Sequence, residues 1–176
     1  MSKNLNTVVA DIVRDAGGQV VGRTKLQKLT YLLVASGLEG ELPFLYKHYG
    51  PYSEVVAVAA REAHLLGLLK EREDSTSWGG SYSTYSVDGK PDSEVPSARL
   101  DLARIANAAD AVELELAATA LFLEKEGRTK DVWLETERRK PEKASNGRLD
   151  KAKVLYQKLA AVKTPIPLPA LNLGQG

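Results

Sequence analysis

Cysteine is absent from the sequence, which removes disulfides, thiolate nucleophiles and cysteine-based zinc or iron–sulfur sites from consideration. Histidine occurs only at His48 and His64, with no second ligand one turn away, so no helical zinc motif can be assembled. No apolar run approaches the ~20 residues needed to span a bilayer, and Met1 to Thr7 lack the basic and apolar regions of a secretory signal. There is no phosphate-binding loop followed by Lys-Ser/Thr, and Gly79 and Gly80 lie in a Ser-rich turn instead of between a strand and a helix. Carboxylate pairs such as Glu113 and Glu115 stand two apart, which aims them at different helix faces. These absences lead to an expectation of a cytoplasmic protein that is not an enzyme, needs no cofactor or metal, and has no membrane partner.

What is present is helical periodicity. Leu5, Val8, Val9, Ile12 and Val13 fall on one helical stripe that Gly17-Gly18 terminates. Thr24 is placed to cap a second helix whose buried stripe is Leu26, Leu29 and Leu33, with Gly37 at its end. Gly50-Pro51-Tyr52-Ser53 is a turn that delivers Ser53 as the cap of a third helix, expected to bury Val55, Val56, Ala59, Ala63 and Leu66. Leu68–Glu73 and Tyr82–Val87 have strand character around a Ser/Gly-rich loop. Three helices followed by a hairpin is the order of a winged helix. The fold class is therefore mainly α, with a winged-helix-like half (three helices plus a β-hairpin) over residues 1–90. A linker with two prolines separates it from a C-terminal helical subdomain, 97–163, packed on it. That subdomain opens with an Ala/Leu-rich stretch broken near Asn107. The string Gly127-Arg128-Thr129-Lys130 repeats Gly22-Arg23-Thr24-Lys25, with Thr expected to cap in both places. Residues 164–176, with Pro165, Pro167 and Pro169, form an extended or disordered tail whose Ile166, Leu168, Leu171 and Leu173 suit a recognition peptide.

Net charge is only +1, but it is unevenly distributed. Residues 73–127 carry eleven Asp/Glu against four Lys/Arg, and residues 128–163 carry eleven Lys/Arg against five Asp/Glu. The second group includes Arg138, Arg139, Lys140 and Lys143, which suit neutralisation of the acidic segment better than they suit a phosphate backbone.

The candidate binding surface is basic and aromatic: Arg23, Lys25, Gln27, Lys28, Lys47, His48, Tyr49, Tyr52, Ser53 and Arg61. Lys25 and Lys28 stand three apart and so share a helix face, expected to point away from the leucine stripe and into solvent, where it would grip phosphates. The third helix argues against base reading, because its outward residues (Glu54, Ala57, Val58, Arg61, His64 and Leu65) include one Arg and no Asn or Gln. Two partner classes follow: nucleic acid held through its phosphates, or a protein docked on the Ala/Val-rich third helix. A homodimer is compatible with either.

The block Lys25-Leu26-Gln27-Lys28-Leu29-Thr30-Tyr31-Leu32-Leu33, followed by Tyr46-Lys47-His48-Tyr49-Gly50-Pro51-Tyr52-Ser53, resembles the hallmark of the YwgA-like family of small bacterial proteins. More distantly it is similar to the Panacea domain of SocA-type antitoxins and proteolytic adaptors. The resemblance is concentrated in residues 20–72, and Tyr52-Ser53 fits the YwgA-like form of the turn better than the Panacea form. It brings no catalytic residues. What it implies is a binding role, with a toxin or a protease adaptor as the kind of partner the Panacea likeness suggests.

Overall fold

The computed structural model describes residues 3–171, and among them the chain is mainly helical, with eight helices and two small sheets. Helix α1 (Leu5–Asp15) buries Val9, Ile12 and Val13, as the stripe requires, and Asn4 caps it by accepting from the Asn6 amide. Strand β1 (Gln19–Val21) sends Val20 into the core. Helix α2 (Arg23–Ala35) starts two residues earlier than a Thr24 cap allows. Its cap position is Gly22 at φ +104°, a backbone region open to glycine, which turns strand directly into helix. The other copy of that string behaves likewise: Asp131, not Thr129, caps α6 by accepting from the Leu134 amide.

A two-residue hairpin of β2 (Leu45–Lys47) and β3 (Gly50–Tyr52) follows, with Tyr46 opposite Pro51 and His48-Tyr49 at its tip. Sequence periodicity treats this stretch as loop and turn, since strands of three residues are too short to alternate visibly. Ser53 then caps α3 (Glu54–Leu65) through the Val56 amide, as expected. Helix α3 buries Val56, Ala59, Ala60 and Ala63; Val55 and Leu66, expected inside, are exposed, because α1 covers only one narrow side of this helix.

The hairpin of β4 (Lys70–Ser75) and β5 (Ser81–Ser86) forms where two strands were expected, and β1 adds to it, giving the order β1-β5-β4, all antiparallel. Helix α4 (Ser97–Ala108) ends at Ala109-Asp110, where Asp110 caps α5 (Ala111–Glu126). The basic segment supplies α6 (Val132–Arg139), the single turn α7 (Pro141–Ala144) and α8 (Arg148–Ala161).

The core runs continuously from α1 through α2 and α5 to α8. Helix α2 is its axis: every residue from Leu26 to Leu33 is buried, because α5 and α4 cover the side that a two-faced helix would show to water. A buried ion pair fastens α4 to α1, with Arg99 Nε 2.7 Å from Asp15 Oδ2 and its NH1 group donating to the Leu38 carbonyl. The tail forms neither helix nor strand as far as it is described, and it is not a free peptide. Leu168 and Leu171 are buried, Ile166 donates its amide to Ser36 O, and the Tyr156 hydroxyl donates to Pro169 O. Leu173 lies outside the described residues. No helix among them is long and apolar enough to cross a membrane.

Candidate functional site: the Tyr46–Ser53 corner

The hairpin β2–β3 has too few strand bonds to hold itself, and α2 supplies what is missing. Gln27 meets Ser53 as a neighbouring strand would: its Nε2 donates to Ser53 O at 2.9 Å, and the Ser53 amide donates to Gln27 Oε1 at 2.8 Å. Lys28, with 1% of its surface exposed, donates Nζ to Pro51 O at 2.8 Å. Lys140, at the junction of α6 and α7, donates to His48 O at 2.7 Å from the other side. The contacts pair the Ser53 amide and the Pro51 and His48 carbonyls, and they give the Ser53 carbonyl a second donor beside the Ala57 amide. Gly50 sits at φ +88°, and a Cβ there would come within 2.6 Å of Thr119 Oγ1, so only glycine lets the turn approach α5 this closely.

Glu115, on α5, is the carboxylate of this cluster. Lys143 reaches it at 2.7 and 2.9 Å, and Lys140 Nζ stands 3.7 Å from its Oε2. Burial pulls the Lys28 ammonium down to about 8; Glu115 opposes that shift, while Lys140 and Lys143 add to it. Lys140 is lowered for the same first reason, against the attraction of Glu115. Three amines thus share one carboxylate inside the fold.

The expectation that Lys25 and Lys28 form an outward cationic face is overturned. Lys28 is sealed under Pro51, and Lys25 donates to the Asn107 and Ala109 carbonyls, where it caps the C-terminal end of α4. Gln27 and Ser53 are likewise buried against each other and present nothing to a ligand. The remaining candidates stay accessible. Lys47 lies over the Tyr52 ring at 4.5 Å, and His48 and Tyr49 form the exposed hairpin tip, with Lys143 Nζ 4.5 Å from the Tyr49 ring. Arg23 is exposed but already faces Glu71 and Glu73 at 3.5 and 3.8 Å, and Arg61 stands exposed on α3. Sequence reasoning missed Glu115 and Thr119, whose role depends on α5 crossing the corner. No spacing signal announces that crossing. Among the described residues, no group of three or more His, Asp or Glu is placed to hold a metal ion.

The corner is where the two quoted sequence blocks meet. Over 118 residues, 61% of this chain and 68% of the relative, the sequence is 30% identical to the uncharacterized protein YwgA of Bacillus subtilis (strain 168). The chain belongs to the YwgA-like family. No family model matches it. In this chain the Lys-Leu-Gln-Lys-Leu and Tyr-Gly-Pro-Tyr-Ser blocks have a joint physical meaning: one is the clamp and the other is the corner it holds.

Proposed function

We propose that this YwgA-like protein is a non-catalytic, winged-helix-type binding module that docks a protein partner on the outward face of α3. The helix order and the β1-β5-β4 sheet support the winged-helix description, with the β2–β3 hairpin inserted before α3. The observation that carries the docking role is the composition of the α3 surface. Val55, Val58, Leu65 and Leu66 are exposed along it, Leu65 at 77%, with Glu54 and Glu62 beside them and Trp78 at 85% exposure on the β4–β5 loop. A shallow groove lined by Leu5, Val55, Val58, Glu54 and Glu62 runs along α1. A DNA backbone would meet Glu54 and Glu62 there against the single Arg61. The complementary partner is a protein segment that offers apolar side chains flanked by basic ones. An antitoxin- or adaptor-type role is the narrower form of this reading, and the distant Panacea likeness supports it.

The test is capture of a stoichiometric partner from nuclease-treated native lysate by the wild-type chain, Val58→Asp, and Glu54→Lys with Glu62→Lys. Capture that both variants abolish, while their circular dichroism stays native, is the expected result. Capture insensitive to both variants, or retarded duplex mobility with no protein partner, would overturn it.

A further inference from the structure

The basic segment that opens α7 does more than balance Glu115. Between the β2–β3 hairpin and the end of α6 lies an open depression of about 800 Å³ lined by Tyr46, Lys47, His48, Arg139 and Lys140. Four of these five side chains are basic and none is a carboxylate. Its cations come from three directions. Lys47 extends from β2 and has no carboxylate partner among the described residues. Arg139 lies over the Tyr46 ring, its centre 4.9 Å away, with Nε donating to Glu135 at 2.8 Å. Lys140, whose side chain is only 4% exposed, spends one of three donor positions on His48 O.

The carboxylates near this wall are outnumbered. Glu135 is shared by Arg138 and Arg139, and Glu115 by Lys140 and Lys143, with Lys28 behind them. Lys140 holds its charge out of water and Lys47 has no carboxylate beside it, so an approaching anion is stabilised here. The geometry points to an oxyanion site here, for a phosphate monoester group, independent of the docking face on α3. Lys47 and Lys140 supply point charges, and Arg139, braced by Tyr46 and Glu135, supplies the planar donor fork. The excess of more than one positive charge favours a phosphate dianion over a carboxylate. Arg139 already covers the Tyr46 ring, which leaves that ring unavailable as a stacking platform for a base.

The experiment is an amide-resolved NMR titration of the full chain at constant ionic strength with inorganic phosphate, glycerol phosphate, acetate, and an unphosphorylated DNA duplex. Shifts confined to residues 46–49 and 139–140 with both phosphates, and weaker ones with acetate, are expected. Lys47→Gln combined with Arg139→Gln should weaken phosphate roughly tenfold or more, since each removes a charge-assisted bond; Lys125→Gln should leave it unchanged. Lys47 and Arg139 are exposed, so the double variant retains the fold and its thermal unfolding serves as the control. Shifts scattered over the surface, an equal response to acetate, affinity indifferent to the double variant, or binding of the duplex alone would each overturn the site.

Discussion

Helices α2 and α3 are neighbours of similar length, yet they use their side chains in opposite ways. Helix α2 carries the polar residues that a sequence reader takes for a binding surface, and it buries them: Gln27, Lys28 and Thr30 all point to backbone carbonyls. Helix α3 carries the bland residues and exposes them, leaving Val55, Val58, Leu65 and Leu66 in water. A motif rich in hydrogen-bonding groups can therefore be internal scaffolding. The surface with apolar residues and no partner is the better docking candidate.

Substitutions in the two helices should separate these roles. The largest effect is expected for Gln27→Ala, which strands the buried Ser53 amide and empties a buried side-chain position, while the Ser53 carbonyl keeps its bond from the Ala57 amide; a loss of about 2–4 kcal/mol should appear in urea unfolding. Gly50→Ala should cost about 1–3 kcal/mol by the same measurement, from a Cβ at positive φ pressed onto Thr119. Lys28→Met sharpens the contrast through pH. The folded chain releases the Lys28 proton near 8 and the unfolded chain near 10.5, so unfolding takes up a proton between those values. Stability therefore rises with pH across that window relative to Lys28→Met, by up to about 3 kcal/mol, and the wild type carries that penalty in full below pH 8. Leu65→Ser on α3 should change stability by no more than about 0.5 kcal/mol while weakening partner capture. A large stability loss there would show that α3 is scaffolding too.

Much of this architecture is legible in the sequence, for reasons tied to particular residues. The stripe Leu5 to Val13, the Ser53 cap and the strands around the Ser/Gly-rich loop are all local signals, and local signals survive folding. Burial on both sides of α2 is not local. Whether Lys28 faces solvent depends on α5, ninety residues later in the chain, lying across it. The same non-local contact decides the charge partner of Lys140 and the need for glycine at Gly50. Val55 fails in the other direction, since helical spacing favours burial and only the absence of a covering element leaves it exposed. Residue types thus pointed to the corner as a binding surface and misjudged which of its side chains look outward.

Native-state hydrogen exchange at the Ser53 amide reaches the heart of the matter, because that proton is bonded to the Gln27 side chain and not to a strand or helix ladder. If α2 clamps the corner, this amide exchanges as slowly as core amides such as that of Leu29 in the wild type, and becomes fast relative to them in Gln27→Ala. An unprotected Ser53 amide in the native chain, or one equally protected without Gln27, would contradict the clamp and return those side chains to the list of candidate binding groups.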